Sequence, residues 1–131
     1  PPSSPSAAAY NALMDGQPRI VTQRLAASEI ETLTAEYFGD MFKLVVDAKR
    51  GLLTVGGEFH ADGEKLLLHE GSSQQDVWGA NYYPGRPLND RLEYVALINI
   101  RPAAGNRGQE IQSVPVRERT RALVEQFVGP T

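Results

Sequence analysis

A strand–turn–strand pattern near the middle of the chain constrains the fold more than any other feature of this sequence. Residues 41–48 place apolar side chains on one face and the polar side chains of Lys43 and Asp47 on the other, as in a half-buried strand. A turn at Lys49-Arg50-Gly51 follows, where the glycine can adopt a positive φ angle. Residues 52–57 then return as a second strand. We therefore predict a β-hairpin, whose short connection implies antiparallel pairing.

Three helices are predicted around this hairpin. Ser28 followed by Glu31 forms a capping-box pattern at the start of the first helix, and Gly39 is placed to end it in the left-handed conformation. The apolar face of this helix is expected to comprise Ile30, Leu33, Tyr37 and Phe38. Residues 62–70 are predicted as a short helix with Asp62 as its N-cap. Residues 115–128 have the spacing of a longer amphipathic helix.

Three further segments have strand character: residues 19–24, residues 77–83 and residues 95–100. The last is apolar on both faces apart from Asn99, which predicts a central strand covered on both sides. Together these elements predict an α+β fold. We expect a single domain with a mainly antiparallel sheet of about four or five strands, packed with two main helices and one short helix.

The N-terminal segment, residues 1–17, has a different composition from the rest. It is rich in proline, serine and alanine, and it offers too little apolar surface to offset the entropy lost on ordering. We predict a disordered tail there. No second shift in composition marks a linker, so residues 18–131 are predicted to form the one α+β domain.

The overall composition excludes several classes of site. The chain has no cysteine, which rules out a disulfide framework, a thiol nucleophile and a zinc ribbon, and agrees with a cytoplasmic location. Its net charge of −3 argues against non-specific binding of nucleic acid. The longest apolar run is far shorter than a membrane span, so no contact with a membrane is expected.

The densest group of polar residues lies between Glu58 and Glu70 and includes both histidines, His60 and His69. Imidazoles and carboxylates are ligands for zinc, manganese or iron. Their spacing here matches no metal-binding motif, and the alternative is a capped short helix with solvated charges and one buried histidine. We predict no metal site and assign no cofactor. His60 is also a candidate general base, although no nucleophile-elbow motif accompanies it.

Two other stretches carry candidate binding residues. Residues 72–85 combine aromatic and amide side chains, among them Gln74, Trp78 and Asn81, which suit a recognition surface or, alternatively, a core tryptophan with amides at strand ends. The strand end and loop at residues 99–109 carry Arg101, whose guanidinium could hold a phosphate or carboxylate. The alternative for Arg101 is an internal ion pair with an acid such as Asp76 or Glu93.

Several short motifs, taken in order, resemble a family of small uncharacterised bacterial proteins known only as a domain of unknown function. The matching motifs are His60-Ala61-Asp62, Gly71-Ser72-Ser73-Gln74, Trp78-Gly79-Ala80-Asn81 and Asn99-Ile100-Arg101-Pro102. The resemblance implies no activity. It implies that a set of polar and aromatic residues meets in one place: His60, Gln74, Trp78, Asn81 and Arg101.

Three hypotheses about function follow. The first is a binding or regulatory domain in a bacterial cytoplasm, with an unidentified small ligand or protein as its partner and the five residues above as its pocket. The second is a small hydrolase or nuclease in which His60 is the base and Arg101 holds an anion. The third is a homo-oligomeric interaction module that pairs through an open sheet edge. Whether the chain is an enzyme is left open by the sequence.

Overall fold

The computed structural model of the chain describes residues 16–131. The predicted disordered tail lies outside the described residues except for Gly16 and Gln17. In chain order the elements are β1 (Arg19–Ile20), α1 (Ala27–Glu36), β2 (Phe42–Asp47), β3 (Leu52–Val55), α2 (His60–His69), β4 (Val77–Tyr82), β5 (Leu92–Glu93) and α3 (Val114–Phe127). Single 3₁₀ turns lie at Gln74–Asp76, Leu97–Asn99 and Pro102–Ala104.

The five strands form one antiparallel sheet in the order β1-β3-β2-β4-β5. The β2–β3 hairpin is confirmed, and Gly51 has the positive φ angle of 73° that its turn requires. Helices α1 and α3 pack on one face of the sheet, and α2 packs on the other. The predicted α+β class is therefore correct. Within residues 16–131, no helix combines the length and apolar character needed to cross a membrane.

Strand β2 is covered on both faces, which corrects the prediction of a half-buried strand. Val46 belongs to the core shared with α1 and α3, whereas Val45 packs against Leu67 of α2 on the opposite face. Asp47 is also buried because its Oδ1 accepts the backbone N–H groups of Lys49 and Arg50, at 2.9 and 2.8 Å. A carboxylate bonded in this way serves the turn and does not mark a solvated face.

The apolar run at residues 95–100 is not a central strand, contrary to prediction. Its middle forms the 3₁₀ turn at Leu97–Asn99, and Leu97 is 70% exposed. The Asn99 side chain replaces a strand there: its Oδ1 accepts the N–H of Gly79 at 2.8 Å, and its Nδ2 donates to the Gly79 carbonyl at 3.0 Å. One side-chain amide thus satisfies the open edge of β4, and no further strand is needed.

Helix α1 begins before the predicted capping box at Ser28 and Glu31. Its first residue is Ala27, and Glu29 accepts the N–H of Ala26 at 3.0 Å. The carboxylate of Glu29 also accepts from Arg19 at 2.6 Å, which ties the helix to β1. The predicted end is confirmed, since Gly39 has a φ angle of 83°.

Helix α2 begins at His60, two residues before the predicted N-cap, Asp62. This start places His60 in the first turn and Glu64 one turn further along the same side. Gly63 allows the helix to lie close to the sheet, because a Cβ atom there would be 2.6 Å from Thr54 Oγ1 and 2.8 Å from Val45 Cγ2. The first turn is thereby held against β2 and β4, where the candidate site lies.

Candidate functional site

A cavity of about 400 Å³ lies between the first turn of α2, the last residues of β4 and the segment after β5. Its polar lining residues are Lys43, His60, Asn81 and Gln109. Its apolar lining residues are Met41, Phe59, Ala61, Val95, Ala96, Leu97 and Ile98. A concave site of this size, mostly apolar with a few convergent polar groups, has the character of a small-molecule pocket.

His60 forms part of the inner wall of this cavity and is only 8% exposed. Its Nε2 lies 2.9 Å from the Ala80 carbonyl oxygen, so Nε2 carries the proton that this hydrogen bond requires. Burial is the main cause that lowers the pKa of His60 from 6.5 to about 4, and the charge of Lys43 acts in the same direction, against the opposing effects of the Ala80 carbonyl, Asn81 and Glu93. At neutral pH the ring is therefore uncharged, and its Nδ1 is a hydrogen-bond acceptor.

Asn81 lines the cavity beside His60 and is 6% exposed. Its Nδ2 donates to Glu93 Oε1 at 2.8 Å and to the Val95 carbonyl at 3.1 Å, which fixes β5 and the following segment against β4. Its Oδ1 is enclosed and has no hydrogen-bond partner in the described part of the chain. Buried polar atoms of this kind are rare, since each unsatisfied group costs about 1–3 kcal/mol.

Lys43 supplies the positive charge of the cavity. It lies opposite Asn81 in the β2–β4 pairing, and its Nζ is 5.1 Å from the ring centroid of Phe38 and 5.8 Å from that of Phe59. None of the ion pairs within residues 16–131 involves Lys43. Phe59 and Leu97 are 58% and 70% exposed, so the cavity has an apolar rim with a cation beside it.

Arg101 forms an internal ion pair next to the cavity. Its Nη2 donates to Glu64 Oε2 at 3.2 Å, and its guanidinium carbon lies 4.9 Å from the ring centroid of Trp78. The predicted partners, Asp76 and Glu93, do not form this pair, although the charge of Asp76 also favours the charged form of Arg101. Glu64 was not predicted because its partner depends on where α2 packs.

The five predicted pocket residues are divided by the structure into two neighbouring pairs and a single residue. His60 and Asn81 line the cavity. The Arg101 guanidinium lies over the ring of Trp78, which packs in the core shared with α1 and α3, and neither residue lines the cavity. Gln74 is exposed in its 3₁₀ turn and also lies outside the lining. A binding role for any of them stays a prediction.

The sequence reasoning missed Lys43, Phe59 and Leu97 as cavity residues. Lys43 looked like the solvated side of a half-buried strand, and Leu97 like the core of a central strand. Lys43 lies opposite Asn81 only because β2 pairs with β4. This strand order cannot be inferred from neighbouring residues in the sequence, so the pair could not be predicted.

The loop after residue 99 is held together by its own amides rather than arranged around an anion. Asn106 Nδ2 donates to the carbonyls of Asn99, Gly108 and Glu110, at 2.8, 3.0 and 3.0 Å. Its Oδ1 accepts the Gln112 N–H at 2.8 Å. With Asn99 bonded to Gly79, both asparagines have structural partners, and the interpretation of this loop as an anion grip finds no support in its geometry.

The two histidines lie at opposite ends of α2, whose ten residues separate them by roughly 13 Å along the axis. They are therefore too far apart to share a metal ion, and residues 16–131 contain no cluster of three histidine or acidic side chains that could hold one. Ser72 follows the C-terminal end of α2, where its Oγ accepts a hydrogen bond from Arg50 Nη1 at 3.4 Å. It is thus remote from His60.

Comparisons with curated proteins and with solved structures gave no significant match. A family model described as "Protein of unknown function (DUF5674)" matches residues 19–127. This range contains every residue that lines the cavity, both members of the Trp78–Arg101 pair and all elements of the sheet. The chain belongs to this family of unknown function, DUF5674.

Proposed function

We propose that this chain is a ligand-binding domain that binds a small organic molecule in the cavity beside His60 and Asn81. The observation that carries this proposal is the unused hydrogen-bonding capacity at the inner end of the cavity. Asn81 Oδ1 is a buried acceptor without a partner among the described residues, while Asn81 Nδ2 and His60 Nε2 are bonded. Folded proteins rarely leave such an atom unbonded, and its place in a cavity wall favours occupation of the cavity by another molecule.

The remaining lining indicates an apolar ligand body. Most of the cavity wall is aliphatic or aromatic, and Phe59 and Leu97 stay largely exposed at its rim. Exposing two large apolar side chains side by side is unfavourable unless a partner covers them. A bound molecule with an apolar body would remove this surface from water, at about 25 cal/mol per Å².

The hydrolase or nuclease alternative is less favoured by the same contacts. A general base works best when its pKa is near the working pH, whereas the pKa of His60 is about 4 and its Nε2 is held by Ala80. Arg101 is paired with Glu64 and lies outside the cavity lining, so it is not placed to hold an anion next to His60. The ligand-binding hypothesis needs neither a basic histidine nor a free arginine.

Two further proposals concern the oligomeric state and the location of the chain. Homo-oligomerisation stays a prediction. The two edge strands, β1 and β5, are only two residues long each, and such short edges offer little backbone for pairing between copies. We propose a bacterial cytoplasmic location, which rests on the cysteine-free composition and on the family resemblance.

NMR spectra of the backbone N–H groups of the full chain, recorded as small molecules are added, test the proposal. The probes are three acids and their matching amides: phenylacetate, hydrocinnamate, hexanoate, phenylacetamide, hydrocinnamide and hexanamide. At least one of them is expected to shift the signals of the first turn of α2, the end of β4 and residues 95–98. Ala61→Trp, which fills the mouth from an exposed lining position, should abolish these shifts.

Ala122→Trp is the matched control, since Ala122 is exposed on α3 and lies outside the cavity lining. It should leave the shifts unchanged. If no probe shifts the cavity signals, or if the shifts persist in the Ala61→Trp variant, the proposed site is wrong.

A further inference from the structure

We infer that the ligand of this cavity is a small carboxylic acid with an apolar body, whose carboxylate is held by Lys43 and the first turn of α2. This inference rests on the proposed function, because it names the chemical class of the molecule bound at the same site. It adds the charge of the ligand and the end of the cavity at which that charge lies.

Lys43 is the cation of this cavity. The cations of the three ion pairs within residues 16–131 are Arg19, Arg101 and Arg117, so Lys43 has no carboxylate of its own there. Its ammonium group instead lies near two aromatic rings, those of Phe38 and Phe59. Aromatic faces attract a cation but leave its N–H groups unbonded, so an incoming carboxylate can accept from them.

The start of α2 lies at the same cavity. Its N-cap, Phe59, has an extended backbone and no side-chain hydrogen bond to the helix. The backbone N–H groups of His60 and Ala61 have no acceptor in the described part of the chain. Phe59, His60 and Ala61 all line the cavity, so the positive end of a ten-residue helix faces the same space as Lys43.

Asn81 gives an orientation to the ligand, independently of the helix. Asn81 lines the cavity, is more than nine-tenths buried, and keeps an amide oxygen without a partner in residues 16–131. This oxygen and His60 Nδ1 are acceptors, and Glu93 lies behind Asn81 at 2.8 Å from its Nδ2. Such surroundings repel a carboxylate. The negative end of the ligand therefore belongs at Lys43 and the helix start, and its body extends along the apolar wall.

The experiment compares each acid with its amide, because the two have nearly the same shape and differ in charge. Dissociation constants are measured by NMR titration for phenylacetate, hydrocinnamate and hexanoate and for their amides. We expect the carboxylates to bind roughly tenfold more tightly or better, as is typical for a charge-assisted hydrogen bond. The Lys43→Met variant should bind acid and amide with similar affinity.

Lys65→Met is the matched control, since it removes the same charge from an exposed position of α2 outside the cavity lining. It should keep the preference for the acid. Equal binding of acids and amides by the unmodified chain overturns the inference and leaves the proposed function standing. A preference for acids that survives in Lys43→Met overturns the assignment to Lys43. Failure of every probe to bind overturns both proposals.

Discussion

His60 keeps its proton on Nε2 because of where it lies, in the first turn of α2 against the carbonyl of Ala80. A solvated histidine would be partly charged near neutral pH, but this ring is enclosed and lies close to Lys43. The ring is therefore neutral near pH 7 where it lines the cavity. Residue type alone was compatible with a base, a metal ligand or a buried structural ring, and burial decided between them.

The low pKa of His60 predicts a loss of stability in mild acid. The unfolded chain binds a proton at His60 near pH 6.5, whereas the folded chain does so only near pH 4, so the free energy of unfolding falls as the pH drops through this interval. The expected loss from this residue is roughly 3 kcal/mol. Urea unfolding at a series of pH values should show a shallower decline for His60→Gln than for the unmodified chain.

His69→Gln is the control for this measurement, because His69 is exposed at the other end of α2. Its curve should run parallel to that of the unmodified chain. If the free energy of unfolding of His60→Gln also follows that of the unmodified chain between pH 6.5 and 4, then His60 is not buried as a neutral ring in the cavity wall.

At the scale of elements, two small features decide how the secondary structure is arranged. Gly63 sets the distance between α2 and the sheet, and the Asn99 side chain completes the edge of β4. Neither feature belongs to a regular helix or strand pattern. Gly63 has no side chain at the point where the helix backbone meets the Val45 methyl group, so the helix can lie close to the sheet. Asn99 supplies hydrogen bonds to Gly79 where a neighbouring strand is missing.

Gly63→Ala tests the first of these features. Alanine favours a helix by about 1 kcal/mol over glycine, but here its Cβ would lie within 3 Å of Thr54 and Val45. We expect a net destabilisation of about 1–3 kcal/mol, because the core must shift to admit the methyl group. Chemical denaturation measures this change. Gly108→Ala, at a glycine with no atom within 4 Å of the added Cβ, should change stability little. A stabilised Gly63→Ala would show that α2 does not pack this closely.

Asn99→Ala tests the second feature. It leaves the N–H and carbonyl of Gly79 without partners at a buried position, and we expect a loss of roughly 2–4 kcal/mol. Hydrogen exchange should become faster at the Gly79 amide than at amides of the β2–β3 hairpin, which serve as an internal reference. If hydrogen exchange becomes faster by the same factor throughout the sheet, Asn99 contributes to overall stability but does not specifically protect the edge of β4.

At the scale of the whole molecule, the sheet separates two helical layers with different roles. The side covered by α1 and α3 contains the larger core, including Leu33, Leu44 and Leu123. The side covered by α2 has the smaller core around Val45, Leu67 and Val77. The cavity lies on this side of the sheet, beside the first turn of α2, and none of its lining residues belongs to the larger core.

Binding in this cavity is expected to stabilise the whole fold. A ligand that binds the folded chain alone raises the free energy of unfolding by about 2.7 kcal/mol at a concentration one hundred times its dissociation constant. The best of the carboxylate probes named above should therefore raise the midpoint of thermal unfolding in the unmodified chain and in Ala122→Trp. Ala61→Trp should show no rise, and an equal rise in all three would mean that the probe acts elsewhere.

The sequence by itself determined the local elements of this protein, because their signals span only a few residues. The strand patterns at residues 41–48 and 52–57 predict the hairpin, and Gly51 and Gly39 mark its turn and the end of α1 through their positive φ angles. Family membership was also visible in the order of the short motifs. These properties depend on periodicity and backbone conformation, which neighbouring residues control.

Only the tertiary structure decided what the polar residues do. Strand order placed Lys43 opposite Asn81, the packing of α2 gave Arg101 its partner Glu64, and burial kept His60 neutral. The apolar run at residues 95–100 became a cavity wall because Asn99 had already satisfied the edge of β4. Each outcome depends on contacts between residues far apart in the chain, whose geometry no local pattern encodes.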